Sequence, residues 1–260
     1  VVEGSCDSGR VHVTRTGFTS LKGARHLDRP FVDLAWDGPV GDREFCLVDP
    51  ARERVLRTVE NPTLMQTRVA WDAGRLTVAL PGATAEGVPA PSGETRTLDY
   101  WGRSVTLEII DGPWAAAYSK HLGYDVVLAR SPAGDVVYGA SVSLVTTGSL
   151  AELSRRIGAS VLDSQFRATF TLQTDTPHLE DGWIGRRLRL GEAEVEVRSP
   201  IPRCAVIDLD PVSGRRRTQA LRTLADYRRQ GNEIMFGVDA VVAEPGRVHV
   251  GDATTVTLVL

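Results

Sequence analysis

The chain has 260 residues, 42% of them hydrophobic and 24% charged, with a formal net charge of −3. That length builds one large β domain or two modest ones, and the slight acidity excludes a nucleic-acid binder driven by counterion release. No apolar run approaches the roughly 20 residues of a membrane helix, and residues 1–10 lack the apolar centre of a secretion signal. The first strand signal is Val11-His12-Val13-Thr14, followed by Arg75-Leu76-Thr77-Val78-Ala79-Leu80. Residues 81–94, rich in Pro, Gly, Ala and Ser without periodicity, are expected to form a loop. A strand over 104–109 and a short helix over 113–122, opened by Pro113, come next. Ser149-Leu150-Ala151-Glu152 has the S-x-x-E pattern of a helix start, and Gly158 can close that helix. Strands are expected over 193–197 and 255–259, with a helix between them on the stripe Leu221, Leu224, Ala225, Arg228, stopped by Gly231. The pattern is mainly β with a few short helices, arranged as β-barrel-like lobes with a boundary near Asp111-Gly112-Pro113.

Cys6, Cys46 and Cys204 are odd in number and widely spaced, and no C-x-x-C occurs. Free thiols in a reducing, cytoplasmic setting are the simplest reading. Cys6 lies in a stretch expected to fray, and Cys46, within Phe45-Cys46-Leu47-Val48, reads as a small apolar filler of a strand. The five histidines are scattered without metal-like pairing. No G-x-S-x-G elbow, phosphate loop or dinucleotide fingerprint is present.

Cys204 stands apart. In Ser199-Pro200-Ile201-Pro202-Arg203-Cys204 the prolines pin the backbone, and the adjacent arginine favours the thiolate, the form that attacks or binds a metal. A strand is expected directly after it. Together with Asp210-Pro211-Val212-Ser213-Gly214, this stretch resembles the P-x-R-C … D-P-x-[ST]-G signature of MOSC domains, named after the C-terminal region of molybdenum cofactor sulfurase. Phe236-Gly237-Val238, Gly246 and Val250-Gly251-Asp252 are similar to the family's closing pattern, with Asp239 where an aromatic is common. Leu122-Gly123, Val142-Ser143-Leu144-Val145, Ser149-Leu150, Phe166-Arg167 and Glu180-Asp181-Gly182-Trp183-Ile184-Gly185 resemble earlier motifs in the right order. Thr19-Ser20-Leu21-Lys22-Gly23 and Gly41-Asp42-Arg43 sit at motifs of the β-barrel extension found ahead of such domains. The resemblance covers about residues 10–260 and implies an N-terminal barrel lobe over 10–112 and a MOSC domain over 113–260.

The resemblance further implies that Cys204 ligates molybdenum in a molybdenum cofactor (molybdopterin), as in relatives like the mitochondrial amidoxime reducing component. Arg43 and Arg167 match positions that hold the pterin and its phosphate, and Thr19, Ser20, Thr169 and Arg203, in the same motifs, are expected to bind the cofactor with them. Such enzymes reduce small, N-hydroxylated substrates with electrons from a separate donor protein. The chain departs from the pattern at Thr19, where a lysine is expected, at Gln165 and Thr169 in R-F-R-P-N, and at Pro202. These departures keep open a second reading, a cofactor-independent enzyme or sulfur carrier with Cys204 as nucleophile or persulfide. Purely structural roles are also open: Arg43 as partner of Asp42, Glu44 or Asp49, Arg167 as a salt-bridge residue, and Trp183 as a core anchor.

Overall fold

The computed structural model describes residues 11–258. Cys6, with the fraying expected of it, lies outside the described residues. The fold is mainly β, as its sequence pattern implies. Strands Phe45–Asp49, Arg54–Val55, Ala90–Tyr100, Arg103–Asp111 and Val127–Arg130 close into a five-stranded barrel. The strand Phe45–Asp49 is buried on both faces, and period-two alternation sends its side chains into two cores. Cys46 and Val48 point into the barrel with Val55, Leu98, Tyr100 and Leu107. Phe45 and Leu47 point out, to a second core covered by the hairpin sheet Arg68–Asp72, Arg75–Leu80, Ala83–Gly87 and by helix α1, Trp114–Leu122.

A nine-stranded sheet forms the rest of the frame. Its central strands are Val142–Thr146, Glu233–Glu244 and Ala193–Pro202, and Val13–Phe18 joins it by pairing with Phe170–Leu172. One face packs against the small sheet of Phe31–Ala35, Gly38–Pro39 and Gly246–His249 through Val32, Leu34 and Val248. The other face is covered by α2, Thr147–Ile157, and α3, Ala220–Ala225. In a regular strand Phe236 and Val238 would share a face. Here Phe236 joins the core under α2 and α3 while Val238 joins the opposite one, because Gly237 between them has φ +71° and breaks the pleat.

Several expectations need correction. Residues 81–94 are not a loop: they hold the strand Ala83–Gly87 of the hairpin sheet and the exposed start of the barrel strand Ala90–Tyr100. Strand pairing does not divide at residue 112, since Val127–Arg130 completes the barrel and Val13–Phe18 belongs to the large sheet. The cap of α2 is Thr146, not Ser149. Helix α3 ends at Ala225, because Arg228 is drawn away by Asp181 at 2.7 Å and by backbone pairing with Met235. Gly231 instead turns the hairpin between Arg229–Gln230 and Glu233–Glu244.

Candidate functional site

A cavity of about 370 Å³ opens between the barrel and the large sheet. Cys204, Arg203 and Arg167 line it from the sheet side, and Arg43 and Lys22 from the barrel side. Cys204 is exposed, with an extended backbone, φ −118° and ψ 178°. It is followed by the 3-10 turn Ala205–Asp208, not by the expected strand. Asp208 explains why: its buried carboxylate accepts the amide of Leu221 at the start of α3 and faces Arg216 at 3.3 Å, which folds the chain back. Asp210 then closes a tight turn by accepting the amides of Val212 and Ser213. The D-P-x-S-G part of the signature thus shapes the loop that presents Cys204.

Arg43 and Arg167 have left-handed backbones, at φ +48° and +54°. Six non-glycine residues among those described share that conformation, and three of them (Arg43, Arg167 and Trp101) line this one cavity. Each such position costs on the order of 1–3 kcal/mol, so its concentration here marks a site whose geometry is held by its surroundings. Gln165 does part of that holding. Buried itself, it donates to the carbonyl of Ile207 at 2.8 Å and accepts the amide of Leu162, tying the turn before Arg167 to the turn after Cys204.

The charges are unbalanced. Arg43 pairs with Asp42. Asp239, also on the lining, is already engaged by the amides of Ala140 and Ser199 and the hydroxyl of Ser199. Glu233 stands exposed at the rim. Arg167 donates to the carbonyl of Ala24 at 2.8 Å but leaves Nη1 buried without a partner. Arg203 donates to the carbonyls of Phe236 and Phe166 and leaves Nη2 buried without one. Burial draws Arg167 down to about 9 and Arg203 to about 10, so both remain cationic at neutral pH. Lys22, whose ammonium donates to the Tyr100 hydroxyl at 2.8 Å, is drawn down to about 7 by burial and then by Arg43 and Arg167. A partly dry site lined by five basic side chains, Lys22, Arg43, Arg57, Arg167 and Arg203, with two orphaned guanidinium N–H groups, fits a dianion such as phosphate.

The other residues singled out from the sequence are placed differently. Thr19, fully buried, donates its hydroxyl to the carbonyl of Leu21, and its own carbonyl accepts the amide of Arg43. Ser20 is buried, and its carbonyl accepts the amide of Phe45. Thr169 hydrogen-bonds Ser143. None of the three lines the cavity; they fix the backbones that carry Arg43 and Arg167. Trp183 is buried in the core of the large sheet.

Lys22 was missed as a site residue, although a signal existed. The chain carries two lysines, Lys22 and Lys120, among 30 basic residues, so a lysine inside a glycine-ended motif is conspicuous. Arg57, Tyr100, Trp101 and Tyr138 also line the cavity, and no sequence motif points to them. Among the described residues, no group of three His, Cys, Asp or Glu side chains could hold a bare metal ion. No helix there is long and apolar enough to cross a membrane.

The comparisons with known proteins agree with the signature. The molybdenum cofactor sulfurase of Aspergillus terreus is 29% identical over 136 residues, 46% of this chain and 16% of that protein. Human mitochondrial amidoxime-reducing component 1 is 29% identical over 118 residues, 42% of this chain and 34% of that protein. The matches therefore span from 16% to 34% of the length of these relatives. The solved YUAD protein of Bacillus subtilis aligns over 96% of this chain and 97% of its own, with 11% identity and a TM-score of 0.48. A family model described as MOSC domain matches residues 120–255, and the chain belongs to the MOSC domain family.

Proposed function

We propose that the cavity binds a molybdopterin-type molybdenum cofactor, with Cys204 as the thiolate ligand of the metal, in an enzyme acting on a small substrate. One observation carries the reading: an exposed thiol shares a cavity with five basic side chains, two of which keep buried N–H groups without partners. Arg167 and Arg203 would hold the phosphate, with Arg43 and Lys22 beside them. Arginine suits this because its planar fork bonds phosphate oxygens bidentately. The lysine expected at position 19 is absent, and Lys22, three residues on, supplies the ammonium on that side of the cavity. A metal bound through Cys204 must bring most of its own ligands, as a dithiolene-bound centre does, because no protein cluster could complete its shell. When bound, such a cofactor supplies two-electron reduction or oxygen or sulfur transfer.

This chain's own residues bind the cofactor phosphate, present the thiolate from a braced turn and leave the mouth open to substrate. A small, N-hydroxylated substrate and a separate electron-donor protein complete the proposal, in a cytoplasmic setting. The exposure of Cys204 supports a second reading, a nucleophile or persulfide carrier in sulfur metabolism that works without the cofactor. Elemental analysis of protein made in a cofactor-producing host separates them. Stoichiometric molybdenum, lost in Cys204→Ser and reduced in Arg167→Ala, supports the first; metal-free protein that still turns over a sulfur donor through Cys204 replaces it with the second.

A further inference from the structure

The mouth of the cavity has a chemistry of its own. Trp101 and Tyr138 both line it while remaining 42% and 51% exposed, with ring centroids 6.0 Å apart at 66°. Trp101 and Gly102 form the two-residue turn of the hairpin Ala90–Tyr100 / Arg103–Asp111, with φ +54° and +78°. Positive φ at both central positions defines a type I′ turn, for which Asn-Gly is the favoured pair. A bulky aromatic there is both strained and wet, so folding alone gives no reason to keep it.

The surroundings nevertheless brace it. The guanidinium of Arg57 lies over the Trp101 ring, 4.2 Å from its centroid, and the residue still stays 42% exposed. Arg103 donates to the carbonyl of Val137 at 2.8 Å, tying the loop that carries Tyr138 to the same hairpin. Val59, 36% exposed, adds an apolar side to the mouth. Two braced, exposed rings at the entrance of a cationic cavity form a platform for another flat ring, since aromatic surfaces stack or meet edge to face with each other in preference to saturated rings.

We infer that Trp101 and Tyr138 are specificity-determining residues that select substrates bearing a planar aromatic or heteroaromatic ring, held at the mouth while the reacting group points toward Cys204. The inference rests on the cavity being the substrate site, and its test needs neither the cofactor nor turnover. Benzamide and cyclohexanecarboxamide carry the same polar group on a flat and a saturated ring. In ligand-observed NMR titrations the wild type is expected to bind benzamide about fivefold more tightly. Trp101→Asn should bring the two rings within about twofold while keeping or raising the melting temperature, because it installs the favoured turn pair. Tyr138→Leu should lower the preference without abolishing it. Equal binding of the two rings by the wild type, or no detectable binding of either at their solubility limit, overturns the inference. A ring preference unchanged in Trp101→Asn also overturns it and leaves the pair as a contact for a protein partner. An intact ring preference in protein that takes up no molybdenum sinks the cofactor proposal and leaves this one standing.

Discussion

A β-carbon on Gly237 would stand 3.1 Å from Nη2 of Arg203 and 2.5 Å from the carbonyl oxygen of Leu144. The absent side chain is therefore part of how the cavity cation is seated. Gly237→Ala adds a left-handed strain to that clash, and we expect a loss of about 1–3 kcal/mol in chemical denaturation. Sulfate binding should weaken in the same variant, since Arg203 must move. Wild-type stability and sulfate affinity in Gly237→Ala would show that the close approach is relieved at no cost.

Ser149→Ala tests the brace beneath α2. The Ser149 hydroxyl donates to the buried carboxylate of Glu180 at 2.7 Å and accepts the amide of His178 at 2.8 Å. Thr146 donates to the same carboxylate at 2.7 Å. Removing one donor from a buried carboxylate should cost about 1.5–3 kcal/mol. Burial holds the Glu180 carboxyl above its ordinary value, so its ionised form opposes folding increasingly as pH rises through that raised value. The variant, with one donor fewer, is raised further. Its deficit should therefore widen as pH climbs from the wild type's raised folded value to the variant's higher one, and shrink in acid, where Glu180 is protonated in both proteins. A deficit that does not change with pH would assign the effect to packing instead.

The parts of the fold legible in the sequence were those with local causes. The strand Arg75–Leu80 alternates, Pro113 opens α1, and Gly158 closes α2 in a left-handed conformation. The motifs around Cys204 and Arg167 led to the sheet side of the cavity, and the one around Arg43 to its barrel side, because short local patterns carried them. What failed was decided by distant partners. Ser149 matched a capping pattern, but Glu180, 31 residues on, claims its hydroxyl. Residues 81–94 show no hydrophobic periodicity because the strand Ala83–Gly87 buries only the small Ala85 and the start of Ala90–Tyr100 is exposed. Lys22 and Trp101 became site residues only when barrel closure brought residues 22 and 101 to the same cavity as residue 204.

The two described cysteines should react very differently. Cys46 is fully buried inside the barrel, and burial pushes its thiol up to about 12; Cys204 is exposed. Iodoacetamide added to metal-free native protein should label Cys204 and leave Cys46 intact until denaturant is present. Mass spectrometry of labelled peptides over a time course reads this directly. Cys204→Ser should retain the wild-type melting temperature, whereas Cys46→Ser places a hydroxyl in an apolar interior and should cost about 1–3 kcal/mol. Early labelling of Cys46 would mean that the barrel opens under native conditions.

Lys22 makes anion binding depend on pH in a direction that can be worked out. With the cavity free of anion its ammonium is held at about 7, chiefly by burial, while its partner Tyr100 is pushed up to about 12 and stays a neutral phenol. An anion beside Lys22 favours the protonated form, so binding takes up a proton when the pH is above 7. Sulfate, which does not titrate in this range, should therefore bind more weakly as pH rises from 7 toward 9, by up to about tenfold per pH unit. Lys22→Met should bind sulfate more weakly at pH 6 and lose the slope. Stability runs the opposite way in the anion-free protein: a lysine whose folded value lies below its unfolded 10.5 opposes folding fully below pH 7 and is relieved between 7 and 10.5. Lys22→Met should accordingly gain in melting temperature at pH 6 and lose that gain by pH 10. Sulfate titrations by calorimetry in two buffers of different ionisation enthalpy count the proton directly. A sulfate affinity equally steep in wild type and Lys22→Met would place the titrating group elsewhere and remove Lys22 from the anion site.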